Sequence, residues 1–143
     1  MSVSDQTRQS RFSSNGWKIH RVAKWLDHEM DQRLAAHSLT VQQFAVLMTV
    51  LETDGLSQTE IGQQFSAPAY TISRAIDQLE HSGLLERHPH PTSRRTHIIH
   101  ATPAGIALSP VLFAIIQEVN AALVAPLDAA EREAFGAMLT KLL

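Results

Sequence analysis

The sequence of 143 residues contains no cysteine. The chain therefore cannot form disulfides, iron–sulfur clusters, a thiol redox sensor or a cysteine nucleophile. No continuous apolar run approaches the roughly 18 residues that a membrane-spanning helix requires, and the polar N-terminus lacks the apolar centre of a signal peptide. These absences predict a cytoplasmic protein that does not contact a membrane.

Sequence motifs of enzymes are also missing. The chain has no glycine-rich nucleotide-binding loop, no G-x-S-x-G nucleophile elbow and no H-E-x-x-H zinc motif. Pairs of serine and histidine arise by chance in a chain with 8 histidines. We therefore expect neither enzymatic activity nor a bound cofactor.

Charged residues make up only 18% of the chain, and the net charge is −2, which is unusual for a protein that binds nucleic acid. The charge of a local patch can differ from the global balance, however. Between Arg87 and Ala101 the chain carries three arginines, four histidines and no acidic residue. Positive charge is thus concentrated in one short segment, where it would attract a phosphate backbone.

The first part of the chain carries the apolar spacing and the capping signals of helices. Residues 1–14 are polar and lack apolar periodicity, which predicts a mobile arm. An apolar stripe then predicts a helix over about residues 14–37. Two capping boxes follow: Thr40 begins a second helix, and Ser57 begins a short third helix.

The next segment predicts a fourth helix and a hairpin. Pro68 marks the start of this helix, because proline is tolerated in a first turn, and Gly83 fits the position just after its end. Residues 84–85 and 98–99 are the centres of two short strands. Pro89, in the loop between them, is expected to bar regular pairing there. A long fifth helix and a last helix, which Asp128 caps together with Glu131, complete the chain.

Two short helices followed by a basic hairpin form a winged helix-turn-helix, a common bacterial device for reading duplex DNA. We therefore predict an all-α protein with a small antiparallel β-wing. Residues 1–14 form the mobile arm, residues 40–102 the DNA-binding domain, and residues 15–39 and 103–143 a helical dimerisation region. The helices on both sides of the DNA-binding domain predict a homodimer.

The fourth helix is the predicted recognition helix, since its leading end carries the short polar side chains that suit a major groove. Arg74 is the best candidate for a bidentate contact with guanine. The alternative for Arg74 is a salt bridge to Asp77 or Glu80 on the same helix. Tyr70 would contact a sugar or a phosphate, or else it is a half-buried aromatic.

Two further segments are candidates for contacts with the DNA backbone. The segment from Ser57 to Thr59 lies at a helix N-terminus, which attracts phosphate, or it only caps the helix. Arg94 and Arg95 at the hairpin tip suit a narrow minor groove, or they are a solvated surface pair. The predicted DNA-contacting residues are Ser57, Gln58, Thr59, Pro68, Tyr70, Thr71, Ser73, Arg74, Gln78, Thr92, Ser93, Arg94 and Arg95.

The stretch SRAIDQLEHSGLLERHPHPTSRRTHIIHATPAG, residues 73–105, resembles the MarR family of bacterial transcription regulators. The resemblance covers essentially the whole chain after the arm. The matching positions are Ser73, Arg74, Ile76, Leu79, Glu80, Gly83, Leu84, Leu85, Arg87, Arg94, Arg95, Thr102, Gly105, Leu127, Glu131, Phe135 and Leu139.

The resemblance implies a homodimer whose first and last helices form the dimerisation part and whose winged domains read a near-palindromic operator. It implies a sequence-specific DNA-binding regulator, most often a repressor. It also maps the recognition helix onto residues 68–82 and the wing arginines onto Arg94 and Arg95. The chain departs from the family at His90 and Ser93, where the family's wing commonly carries acidic residues that brace these arginines.

Many members of the family are released from DNA by a small aromatic ligand, so the resemblance also implies a small-molecule effector. Candidate lining residues are Trp17, His20, Trp25, Phe44 and Met48, although apolar residues at helical spacing are usually core. Histidines at positions 88, 90, 97 and 100 raise a metal hypothesis, but zinc requires a closed set of about four ligands, and we predict no metal site. Two alternatives remain open: a helical protein-interaction adaptor without specific DNA binding, and a metal-responsive regulator.

Overall fold

A computed structural model describes residues 1–143. The chain is mostly helical with a small three-stranded antiparallel sheet, which confirms the predicted fold class. The elements are α1 (Val3–Ser13), α2 (Asn15–Ala35), α3 (Val41–Glu52), β1 (Leu56–Ser57), α4 (Gln58–Gln63), α5 (Ala69–His81), β2 (Leu85–Pro89), β3 (His97–Ala101), α6 (Pro103–Val124) and α7 (Ala129–Leu142).

These elements form two compact units. One unit comprises residues 1–32 and 116–143, and the other comprises residues 33–115. The boundaries lie within α2 and α6, whereas the sequence analysis placed the limits of the DNA-binding domain at residues 40 and 102. The difference arises because each of these long helices is continuous and contributes residues to both units.

The unit of residues 33–115 holds most of the apolar core. Ile72, Ile76 and Leu79 on the inner face of α5 are buried, and their sequence spacing is that of one face of a helix. The strand order is β1-β3-β2, with Leu56 opposite Ile99. Strand β1 was not predicted, because two residues are too few to show an alternating pattern.

Local capping signals decide where the helices begin. Thr40, Ser57 and Asp128 are N-caps with complete capping boxes, as the sequence predicted for each. Gly83 has φ +76°, the left-handed conformation predicted for the residue after α5.

Two expectations require correction. A helix, α1, forms within the predicted arm, because Ser2 Oγ accepts the Asp5 N–H and the Asp5 carboxylate accepts the Ser2 N–H. Pro89 was expected to bar strand pairing, but it is part of the paired strand β2, as its last residue and opposite His97. Proline is tolerated there because it stands at the end of an edge strand.

The start of α6 is docked on the turn that follows α5. Thr102 Oγ1 donates to the carbonyl of Gly83 at 2.6 Å, and the Thr102 N–H donates to the carbonyl of Leu84 at 3.1 Å. A β-carbon at Gly105 would lie 2.2 Å from the Leu84 carbonyl oxygen. Glycine at this position therefore permits a backbone contact that no other residue allows.

Helix α6 is long and apolar enough to be compared with a membrane-spanning helix. By length and composition alone it could cross a bilayer, with a mean hydropathy of 1.7 over its most apolar window, although the sequence analysis found no such segment. Gln117, Glu118 and Asn120 interrupt the apolar run of α6, so no continuous apolar segment of spanning length stands out in the sequence. Helices that pack against protein pass the same test, so this finding is weak evidence for a membrane span.

Candidate nucleic-acid interface

The predicted recognition helix, α5, presents one polar face to solvent. Tyr70 on this face is 73% exposed, and Arg74, one helical turn further on, is also exposed. Tyr70 is therefore not the half-buried aromatic of the alternative interpretation. The opposite face is buried, so the amphipathic helix can only direct its polar side outwards.

Arg87 on β2 forms salt bridges with two acidic side chains on the flank of α5 that faces this strand. Its guanidinium contacts the carboxylates of Asp77 at 2.6 Å and Glu80 at 3.1 Å, and it donates to the carbonyl of Ser73 at 3.3 Å. The Arg87 side chain is only 15% exposed. Since these two acids pair with Arg87, neither forms the intrahelical salt bridge that was the alternative for Arg74, and the Arg74 side chain stays exposed.

The opposite flank of α5 is held by α3. Gln43 on α3 is the only buried polar residue of the chain, and its Nε2 donates to Gln78 Oε1 at 2.5 Å. The recognition helix is thus fixed by polar contacts on both flanks, one to β2 and one to α3. Neither contact involves Tyr70 or Arg74.

The start of α4 is organised mainly by its own cap. Ser57 Oγ accepts the Glu60 N–H at 3.1 Å, and the Glu60 carboxylate accepts the Ser57 N–H at 2.7 Å. The Glu60 carboxylate is stabilised first by the Ser57 backbone N–H and then by the Ser57 side chain, which together hold the pKa of Glu60 below its ordinary value. Ser57 is therefore engaged in capping, whereas the neighbouring Thr59 is exposed.

His90 and Ser93 shape the wing loop in the place of the acidic residues of the family pattern. Nδ1 of His90 accepts the backbone N–H groups of Thr92 and Ser93, both at 3.1 Å. Ser93 Oγ lies 3.2 Å from Thr96 Oγ1 and accepts the Arg95 N–H at 3.4 Å. The loop is thus ordered through its backbone, while the Arg94 and Arg95 side chains stay exposed.

An open groove of about 390 Å³ runs between the helix-turn-helix and the wing. The structure brings four predicted contact residues to this groove, together with Arg87, Thr96 and His97, which the sequence analysis did not select. The four are Gln58, Thr59, Ser73 and Arg95. Pro68, Tyr70, Thr71, Arg74 and Gln78 lie on or at the start of α5, and Thr92, Ser93 and Arg94 lie in the wing loop. That these residues contact DNA stays a prediction.

The wing histidines form pairs rather than a metal cluster. The rings of His88 and His100 are 4.7 Å apart, His88 pairs with Glu86 at 3.0 Å, and His100 pairs with Asp54 at 2.9 Å. The hydrogen bond to His100 is the main cause that lowers the pKa of Asp54. No group of three or more histidine, aspartate or glutamate side chains has the geometry to hold a metal ion.

The predicted effector residues belong to both units. Trp17, His20 and Trp25 lie on α2, and Phe44 and Met48 lie on α3. Trp25 lines a groove of about 420 Å³ within the unit of residues 1–32 and 116–143, together with Arg21, Val22, Ala122, Leu123 and Pro126. That these residues bind a ligand stays a prediction.

Comparison with known proteins agrees with this architecture. Residues 37–96 match the family model described as MarR family. An HTH-type transcriptional repressor of Mycobacterium tuberculosis is 28% identical over 127 residues, which span 89% of this chain and 91% of the relative.

Solved structures give the same result. The crystal structure of apo wild-type MarR from Escherichia coli has a TM-score of 0.84 at 25% identity, covering 91% of this chain and 96% of that one. A mutant MarR from Escherichia coli in complex with operator DNA has a TM-score of 0.80 at 24% identity, covering 94% and 96%. At 24% identity, the likeness to the DNA complex is evidence for a shared fold only.

Proposed function

We propose that this chain is a DNA-binding transcription regulator of the MarR family, without enzymatic activity, that represses transcription by binding a near-palindromic operator as a homodimer. The observation that carries the proposal is the outward polar face of α5, which is fixed on both flanks while Tyr70 and Arg74 stay exposed. A rigid helix with free polar side chains suits the major groove, and the basic wing beside it suits the phosphate backbone.

Apolar side chains on the terminal helices support the homodimer. Ile19 and Val22 on α2, and Met138 and Leu142 on α7, are exposed within the single chain. Few residues of α6 are buried, although it is the most apolar helix. Exposed apolar surface of this extent is typical of a protein–protein interface, and a second copy of the chain would cover it.

A small aromatic effector is the second part of the proposal. The groove beside Trp25 is lined by apolar side chains and by Arg21, which would accommodate an aromatic ring that carries a negative charge. Binding at that groove would affect α2 and α6, the helices of the proposed dimer. We place the protein in the cytoplasm, where its DNA target is located.

The test is selection of genomic DNA fragments by the purified protein at low and at physiological salt. Enrichment of a few near-palindromic sites that persists at physiological salt is expected for a specific regulator. Uniform binding that disappears as salt rises, or no binding, would favour the protein-interaction adaptor. Sedimentation of the protein alone and with a selected site gives the stoichiometry, for which we expect two chains per site.

A further inference from the structure

The orientation of the Gln43 side-chain amide is determined by its neighbours. The backbone N–H of Thr40 can only donate, and it lies 3.2 Å from Gln43 Oε1 as part of the α3 capping box. The other end of the Gln43 amide must therefore be its NH₂ group. This group faces Gln78, so the atom of Gln78 that meets it must be an oxygen.

The hydrogen bond from Gln43 leaves the Gln78 side chain with its NH₂ group free. Its Oε1 is occupied by Gln43, and its Nε2 remains as a donor on the exposed residue Gln78 of α5. A glutamine that reads adenine uses both ends of its amide, because adenine offers an acceptor at N7 and a donor at N6. A glutamine held in this way directs its acceptor towards Gln43 and turns only its donor group away from it.

We propose that Gln43 is a positioning residue that converts Gln78 into a donor-only reader of the operator, which selects guanine over adenine at the base pair that Gln78 contacts. Guanine presents two acceptors, N7 and O6, in the major groove, and it therefore suits a group that only donates. The inference rests on the proposed function, since it assumes that α5 enters the major groove.

The substitution Gln43→Glu tests the proposal by reversing the free group of Gln78. The introduced carboxylate can still accept the Thr40 N–H, as in an ordinary capping box, so the start of α3 is retained. It cannot donate, however, so Gln78 must rotate its amide and present Oε1 outwards. The expected result is a shift from guanine to a base that donates, cytosine or adenine, by about five-fold or more in relative affinity.

The measurement is selection from random-sequence duplexes with the parent, Gln43→Glu, Gln78→Ala and the double variant. Gln78→Ala identifies the base pair that depends on Gln78, and the shift caused by Gln43→Glu must vanish in the double variant. Should Gln43→Glu fail to fold, Gln43→Met removes the contact without adding charge. It frees both ends of the Gln78 amide and should raise the acceptance of adenine at the same base pair.

The outcomes separate the two levels of the proposal. If the parent selects a specific site and its base preference is unchanged by both Gln43 variants, or no position depends on Gln78, the inference is overturned and the proposed function stands. If the parent selects no sequence at all, the proposed function fails, and the inference fails with it.

Discussion

Arg87 and Asp77 form an ion pair in the unit of residues 33–115, with 2.6 Å between the guanidinium and the carboxylate. The pair joins strand β2 to the recognition helix and compensates a negative charge close to the expected path of the phosphates. Arg87 was matched to the family pattern from the sequence, but this role was not predicted, because Arg87 and Asp77 are ten positions apart on different elements.

We expect Arg87→Ala to lower both stability and DNA affinity. Loss of the contacts with Asp77, Glu80 and the Ser73 carbonyl should reduce the free energy of unfolding by about 1–2 kcal/mol. The two carboxylates left without a partner would also repel the DNA backbone. Urea denaturation and titration with a selected site measure the two effects. Adding Asp77→Asn should restore part of the affinity, and no recovery would contradict the electrostatic explanation.

The double variant Arg94→Ala, Arg95→Ala should weaken binding to all sequences and flatten its salt dependence. Each phosphate contact that is lost should lower the slope of log K against log salt by about 1. Because both side chains are exposed and the loop is ordered by His90, stability should not change. Lys141→Ala on α7 is the control and should leave the slope unaltered. An unchanged slope in the double variant would place the wing outside the interface.

Arg74→Ala should relax sequence preference at one or two base pairs. A bidentate contact between arginine and guanine contributes about 1–3 kcal/mol to discrimination between bases. Arg74→Lys keeps the charge but loses the planar fork, so it should retain non-specific affinity while discriminating less. Binding to a panel of single-base operator variants measures both. Parent-like discrimination in Arg74→Lys would show that Arg74 contacts phosphate only.

Gly105→Ala should destabilise the protein by about 1–3 kcal/mol, because the added methyl group would overlap the Leu84 carbonyl and displace α6 from the turn after α5. Gly62→Ala in α4 is the matched control, since a β-carbon there meets no atom within 4 Å. It should raise stability by up to about 1 kcal/mol, because alanine favours helix. If both substitutions changed the thermal unfolding midpoint equally, overlap with the Leu84 carbonyl would be ruled out as the cause of the effect at Gly105.

Asp54→Asn should produce a pH-dependent loss of stability. The pKa of Asp54 is lowered in the folded protein, chiefly by its hydrogen bond to His100, so its carboxylate stabilises the fold above about pH 4, the ordinary pKa of aspartate. That contribution is lost as the pH falls through the lowered pKa. It should stay below about 1 kcal/mol at neutral pH, because water screens a largely exposed pair. Urea denaturation from pH 7 to pH 3 should show the parent and the variant converging in acid. A constant difference would contradict the assignment.

The features that could be predicted from the sequence are those encoded by neighbouring residues. The capping boxes at Thr40, Ser57 and Asp128 each span four positions, and the inner face of α5 repeats with helical spacing. Helix α1 was missed because it has no apolar stripe, although the Ser2 and Asp5 spacing was a usable signal. Its capping box alone could have located its start.

The features that could not be predicted depend on residues far apart in the chain. Gln43 and Gln78 are separated by 35 positions, and nothing in the sequence around either residue indicates that their side chains meet. The choice between the two interpretations of Arg74 likewise required Arg87, which comes from another element. Sequence reasoning could find which residues carry polar groups, but only the fold shows which of those groups are already occupied.

The docking of Thr102 and Gly105 has a consequence for the DNA itself. Helix α6 begins beside the turn that ends the recognition helix, held there by the Thr102 hydroxyl on the Gly83 carbonyl. In the proposed complex with an operator, disturbing this contact would shift the turn and with it the fit of α5 to the bases. Sequence preference would then depend on residues that are not themselves predicted to contact DNA.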